Sequence, residues 1–184
     1  MNFPELKTKR LVLRENRLSD AENMVKYLNN FEVSRWLAVV PYPYTEKDAQ
    51  ERIKSVLANN YADTCAWAID DGTGLVGTIG FRSASGKVVF GYFLGQPFWG
   101  KGYMSEAVQA VMVYLFETKN ISAVYAGAFV ENEGSQRVLA KAGFTRSGRG
   151  FQNCRARDGK EFPENRYMLT REAFVQCQEL REVA

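Results

Sequence analysis

The chain contains no histidine, and that absence narrows its chemistry at once. Serine–histidine–aspartate and cysteine–histidine nucleophile systems are excluded, as are histidine-ligated zinc sites, and no metal is expected. Any base must be a carboxylate, a tyrosine, a lysine or water. Cysteine is scarce as well: Cys65, Cys154 and Cys177 are odd in number and far apart. That pattern fits neither a disulfide framework nor a paired-cysteine metal site. Free thiols belong in a reducing compartment, so the expected location is the cytoplasm. No run approaches the ~18 apolar residues of a membrane span, and the first ten residues lack the apolar core of a secretion signal. Twenty-four basic against 21 acidic residues leave a charge of only +3, too little to point to nucleic acid as a partner.

What is present is enough for one folded domain. A chain of 184 residues without a linker, repeat or low-complexity block is expected to form a single domain over 1–184. Alternating apolar and basic residues from Arg10 to Arg14 predict a strand. Ser19, Asp20, Ala21 and Glu22 form a capping-box pattern, with serine capping and glutamate reaching back. Ala21, Met24, Val25 and Leu28 then recur at helical spacing. A second helix start at Thr45-Glu46-Lys47-Asp48 precedes Ala49, Ile53, Val56 and Leu57. Between the two helices, Pro41-Tyr42-Pro43-Tyr44 predicts an extended aromatic loop.

Three strand-like runs follow, over 64–69, 75–81 and 87–94, separated by glycine-rich turns. After Gly102 the apolar period becomes helical through Met104, Ala107, Val108, Val111, Met112 and Leu115. A strand over 122–130, a short helix over 131–142 and strands over 144–151 and 165–170 come next. Gly143-Phe144 has the form of a Schellman stop. A helix from Arg171 to Glu182 closes the pattern. The order predicts a mixed α/β (α+β) layer fold around one sheet.

The densest chemical signal is Gly95-Gln96-Pro97-Phe98-Trp99-Gly100-Lys101-Gly102-Tyr103-Met104-Ser105, where a strand gives way to the most regular helix. Unpaired amides at a helix start, with the helix dipole behind them, form an anion site suited to pyrophosphate. Gly95 to Lys101 imitates a Walker A loop, but Gly102 stands where the magnesium-binding Ser or Thr belongs. Gly100-x-Gly102-x-x-Ser105 imitates a dinucleotide fingerprint but lacks the third glycine. The third reading is a coenzyme A loop.

Trp99-Gly100-Lys101-Gly102-Tyr103-Met104-Ser105-Glu106-Ala107 resembles the CoA motif of the GNAT N-acetyltransferase superfamily, in the branch of ribosomal-protein N-terminal (RimJ/RimL-like) acetyltransferases. Asn132-x-x-Ser135-x-Arg137-Val138-Leu139-x-Lys141-x-Gly143-Phe144 resembles its second motif. The segments 10–14 with 19–21, and 43–49, resemble the opening and acceptor-side segments of that branch, so the likeness runs from residue 10 to about 170. The resemblance implies a mostly antiparallel central sheet flanked by helices and split between two adjacent parallel strands. It implies acetyl-CoA as cosubstrate, lying in the split. Phe93 and Leu94 would then supply pantetheine and oxyanion contacts, with Trp99, Gly100, Lys101, Gly102, Tyr103 and Met104 around the pyrophosphate. Asn132 would meet the pantetheine amide or a bridging water.

Two positions depart from the superfamily pattern. Pro97 stands where Gln or Arg is usual, at little cost if backbone amides do the binding. Leu139 stands where many relatives carry the tyrosine that protonates the leaving thiolate, so Ser135 is the substitute acid. Asn132 with Ser135 equally fits a plain helix cap. Glu15 and Glu131, at predicted strand ends, are candidate bases; Trp36, Tyr42 and Tyr44 are candidates to line an acceptor site. The expected activity is acetyl transfer by direct attack of an amine on the thioester, as a monomer or homodimer. An α-amine of a protein N-terminus, for example of a ribosomal protein, is the first acceptor class. A small amine such as an aminoglycoside or polyamine is the second, and a catalytically silent acyl-CoA-binding module is the alternative of another kind.

Overall fold

In the computed structural model, which describes residues 3–182, the opening alternation becomes two short strands, β1 (Leu6–Lys7) and β2 (Val12–Arg14). The expected Ser19 cap does not form. Leu18–Asp20 instead make a 3-10 turn whose Asp20 carboxylate accepts from the Arg17 amide at 2.8 Å. Asp20 is drawn inward by Arg14, whose guanidinium bonds both its oxygens at 2.9 and 2.8 Å and reaches Asp70 at 2.7 Å. Helix α1 (Ala21–Leu28) then buries Ala21, Met24, Tyr27 and Leu28. A four-residue helix, α2 (Phe31–Ser34), is too short to leave a periodic trace in the sequence. Thr45 and Asp48 do form the reciprocal box expected of them, at 3.3 and 2.9 Å, and start α3 (Glu46–Leu57).

Strands β3 (Thr64–Asp70), β4 (Leu75–Ala84) and β5 (Lys87–Leu94) form the expected meander. Helix α4 (Tyr103–Val113) follows, then β6 (Ala123–Phe129) and α5 (Glu133–Lys141). The chain continues as β7 (Thr145–Cys154), β8 (Lys160–Thr170) and α6 (Arg171–Glu182). The Schellman stop after α5 is formed: Gly143 has φ of 94°, its amide donates to Ala140, and the Phe144 amide donates to Leu139. The eight strands lie in the order β1-β2-β3-β4-β5-β6-β8-β7, antiparallel throughout except for the parallel β5–β6 pair. This is the mixed, mostly antiparallel sheet that was anticipated.

Helices cover both faces of the sheet. On one face α4, the π-helical turn Tyr114–Thr118 that continues it, and α5 bury Val108, Val111, Met112, Leu115 and Leu139 completely. Each such side chain contributes about 1.5–3 kcal/mol. On the other face α1 and α3 pack Met24, Leu28 and Ile53 against Ala68, Leu75 and Phe93. Helices α1 and α3 stop short of β6, β8 and β7. The segment after α2 covers the Phe129 end of that face, where Trp36 packs with Phe129, Cys154 and Phe162 and the Arg155 amide donates to Ala38. The part of the face around Gly127 and Glu164 lines the cleft beside the split. Among the described residues no helix is long and apolar enough to cross a membrane.

Strand β8 begins five residues earlier than its predicted start at Asn165 and carries Pro163 within it. The missing N–H of Pro163 falls opposite the Val130 carbonyl. Gln136 Nε2 satisfies that carbonyl instead, at 2.8 Å.

Candidate active site

The site begins where β5 and β6 stop pairing. Their register covers only Val88, Val89 and Phe90 against Val124, Tyr125 and Ala126. Beyond this, β5 runs on to Leu94 and β6 to Phe129. Which backbone groups face the opening follows from ladder alternation. The Gly95 amide donates to Val76 at 2.9 Å, so two residues back in the same register Phe93 is hydrogen-bonded to Thr78. The N–H and C=O of Tyr92 and Leu94 therefore point toward β6. On the other side, the Arg171 amide donates to Ser122 and the Val130 amide to Pro163, which turns Gly127 and Phe129 toward β5.

The opening thus presents the Tyr92 N–H and C=O, the Leu94 N–H, the Gly127 C=O and the Phe129 N–H. The Leu94 carbonyl accepts from Trp99 Nε1 at 2.7 Å, and the Phe129 carbonyl from the Asn132 amide at 2.9 Å. One expectation is corrected here. Phe93 spends its backbone on β4 and its side chain in the α1–α3 core, so Tyr92 and Leu94 carry the free groups.

The loop from Gly95 to Met104 closes one end of the split. Gly100 and Gly102 take φ of 74° and 79°, a region that penalises any side chain. Among the described residues, no acceptor is found for the amides of residues 100–105, which converge at the start of α4. The loop is pinned from behind by the β1–β2 turn. Arg10 bonds Glu106 at 2.7 Å and the Lys101 carbonyl at 2.9 Å, and lies over the Tyr103 ring; Thr8 bonds Glu106 at 2.6 Å. Burial opposes ionisation of Glu106, but these bonds outweigh it and hold the carboxyl below its ordinary pKa. Lys101 Nζ lies over the Phe98 ring at 5.3 Å, and Phe98 stacks on Tyr103. A backbone cradle of this kind accepts a pyrophosphate without metal or side-chain charge.

Two candidate proton-transfer groups lie on opposite faces of the split. On the α4–α5 face, Asn132 caps α5 by accepting from the Ser135 amide at 3.1 Å, which confirms its capping role. Ser135 Oγ lies 2.8 Å from the phenol of Tyr92. Burial pushes that phenol up to about 12, with the Ser135 bond pulling the other way, so Tyr92 stays protonated. Leu139, in the position of the usual acid, is wholly buried in the core.

On the opposite face stands Glu164, which nothing local in the sequence marks. Its carboxylate occupies the space a Cβ on Gly127 would need. Burial raises its pKa, against Arg166 at 3.7 Å. Glu164 falls in the part of β8 that precedes the predicted start at Asn165.

The remaining candidates divide. Glu131 lines the cleft but is paired to Arg157 at 3.2 Å. Glu15 is not brought to the site: it accepts from Tyr61 at the far end of β2, outside the cleft lining. Trp36 and Tyr44 line the cleft, whereas Tyr42 turns away and packs edge-on against Phe31. One continuous cleft of about 1320 Å³ joins the Gly100–Gly102 loop, the split and the open face of β6 and β8.

A split sheet, free backbone amides at the start of α4, and the Ser135–Tyr92 pair and Glu164 on opposite faces together make one cleft open from two sides. Comparisons with known proteins give the family. Residues 10–145 match the model of the acetyltransferase (GNAT) domain. The chain is 33% identical over 156 residues to the uncharacterized N-acetyltransferase YoaA of Bacillus subtilis, covering 79% of this chain and 85% of that one. It is 38% identical over 58 residues, 32% of this chain and 30% of that one, to the ribosomal protein uS5-alanine N-acetyltransferase of Escherichia coli. Among solved structures, the acetyltransferase (GNAT family) from Bacillus anthracis superposes with a TM-score of 0.79 at 25% identity, over 92% of this chain and 99% of that one. RimL, a ribosomal L7/L12 alpha-N-protein acetyltransferase in complex with coenzyme A, has the same fold, with a TM-score of 0.78 at 19% identity over 92% and 99%. The chain belongs to the GNAT acetyltransferase family and is an N-acetyltransferase, and enzymes of this family use acetyl-CoA.

Proposed function

We propose that this enzyme acetylates the α-amine of a peptide or protein N-terminus. The observation that carries the reading is the open groove across the face of β6 and β8, with the half-buried Glu164 carboxylate at its floor beside the split. A groove continuing away from the reaction point suits an extended chain better than a compact amine. The donor fits the other side. Free amides at residues 100–105 would hold the pyrophosphate, and the Tyr92 backbone groups would pair with the pantetheine amides as an added strand does. The Leu94 N–H faces the split where the carbonyl oxygen gains charge.

Glu164 would take a proton from the attacking amine, and Ser135, backed by the Tyr92 phenol, would give one to the departing thiolate. The base requirement is mild. At pH 7 an α-amine of pKa ~8 is roughly 10% neutral, against nearer 0.04% for a lysine amine at ~10.4. The partial match to a ribosomal protein uS5-alanine N-acetyltransferase supports a protein acceptor. Free cysteines, two of them buried, suit the reducing cytoplasm where such substrates are made.

The test is thiol release from acetyl-CoA with four acceptors: a peptide with a free α-amine, the same peptide blocked at the α-amine but carrying lysine, a polyamine and an aminoglycoside. Turnover confined to the first supports the reading. Turnover of the polyamine or aminoglycoside alone replaces it, and CoA binding without turnover of any acceptor would mean a silent binding module.

A further inference from the structure

Charged groups along the acceptor side of the cleft are mostly committed to neighbours. Asp48 is held in the Thr45 box, Glu51 faces Lys47, Glu131 pairs with Arg157, and Glu133 pairs with Arg137. Two cationic side chains in the same lining are not. Among the described residues, neither Arg52 nor Arg82 has a hydrogen-bond or ion-pair partner, and both line the cleft. Arg82 projects from β4 on the acceptor face, in register with Thr64 and Val89, which line the cleft beside it. Arg52 projects from α3, which roofs that face, near the buried Tyr44 ring. The Arg52 side chain keeps its water access, yet desolvation by the surrounding protein lowers its pKa, with Tyr44 countering. Arg52 and Arg82 are both exposed to the cleft, so a ligand's anion can reach either guanidinium without displacing a protein partner.

We infer that Arg52 and Arg82 form an anion subsite that selects acceptors carrying a carboxylate beyond the reacting amine, namely peptides with an acidic side chain among their first few residues. This rests on the acceptor reading above. Topology sets the spacing. Tyr125, Val89 and Arg82 lie side by side on β6, β5 and β4. Gly127, under Glu164, is two residues further along β6. With strands ~4.8 Å apart and ~3.3 Å per residue, the Arg82 backbone is roughly 12 Å from that of Gly127. An extended peptide covers this distance, less the reach of the arginine, in two to four residues. The carboxylate of a free α-amino acid is too close to its own amine to span it. A polyamine would bring positive charge to two uncompensated guanidinium groups, and such like-charge contacts act against the wrong partner.

The test uses peptides that begin with the same residue and carry glutamate, glutamine or lysine at the next three positions, with glutamate itself and spermidine as further arms. Turnover is followed by thiol release, and binding of each peptide to the CoA complex by calorimetric titration. The glutamate peptide is expected to exceed the glutamine peptide about tenfold in kcat/KM, mostly through KM, as for a charge-assisted hydrogen bond. Arg52→Gln and Arg82→Gln should each remove most of that advantage, and Arg82→Glu should shift preference to the lysine peptide. Acetyl-CoA affinity of each variant reports folding. Equal kcat/KM for the glutamate and glutamine peptides overturns the subsite while leaving N-terminal acetylation in place. Preferential turnover of free glutamate also overturns it, and failure of every peptide to bind or react overturns the acceptor reading together with the subsite.

Discussion

Replacing Glu164 by Gln separates catalysis from folding, because the two respond with opposite signs. The amide keeps the shape over Gly127 but cannot take a proton. A positioned base contributes about 10²–10⁴-fold. With roughly a tenth of an α-amine already neutral at pH 7, the loss belongs at the lower end, about 100-fold in kcat/KM. The pH profile carries the diagnosis. Burial raises the Glu164 pKa, and only the carboxylate accepts a proton, so wild-type activity should fall with decreasing pH at a point above the ordinary carboxylate range. In the variant that limb should move up to the amine's own pKa, ~8, and the gap should narrow as pH rises.

Stability moves the other way. A folded-state pKa above the unfolded value means that the fold favours the protonated form. The contribution of Glu164 is therefore fully favourable below its unfolded pKa and is lost as pH rises through the folded value. Gln, neutral at every pH, should raise the Tm at pH 7 and not at pH 4. Thiol release between pH 5.5 and 9 and thermal melts at the two pH values test both halves. An unchanged rate at pH 7 with an unchanged acid limb refutes Glu164 as the base.

Three further perturbations test other parts of the site. Gly102→Glu forces a side chain onto a residue with φ of 79° and toward Arg10 Nη2, and adds negative charge to the cradle. Calorimetric titration should show acetyl-CoA affinity lost in a protein that still melts cooperatively; retained affinity would remove the loop from the site. Ser135→Ala should lower kcat about tenfold or more with little change in acetyl-CoA affinity. Tyr92→Phe should lower kcat less, since Ser135 remains; equal turnover in both variants would show that neither handles the proton. Arg14→Met leaves the buried Asp20 carboxylate unpaired and should cost about 3–5 kcal/mol by urea denaturation, as for half of a buried ion pair.

Features set by neighbours in the chain were legible in the sequence, and those set by register were not. The Gly100 and Gly102 turns, the Asn132 cap with Ser135 at its third position and the Gly143–Phe144 stop all arise within one or two helical turns. Each appears in the structure as its local pattern implied. The Thr45–Asp48 box is equally local, but the Ser19 box failed because Arg14, on a neighbouring strand, competes for Asp20. Choosing Tyr92 and Leu94 over Phe93 requires knowing which residue opposes Thr78, which no local pattern contains. Glu164 was hidden twice: it falls one residue outside the strand predicted over 165–170, and its significance depends on a glycine 37 positions earlier in the chain, Gly127. Glu15 and Tyr42 show the reverse error. Their types suited the chemistry, but the strand direction and loop path carry them away from the split.

The most direct test of the central claim is to locate the acetyl group. The enzyme is incubated with acetyl-CoA and an acidic peptide that has both a free α-amine and an internal lysine, and the product is fragmented by tandem mass spectrometry. One acetyl group, on the α-amine, is expected from the wild type, strongly reduced in Glu164→Gln. Acetyl on the lysine alone, or equal α-amine acetylation by the variant, would contradict it.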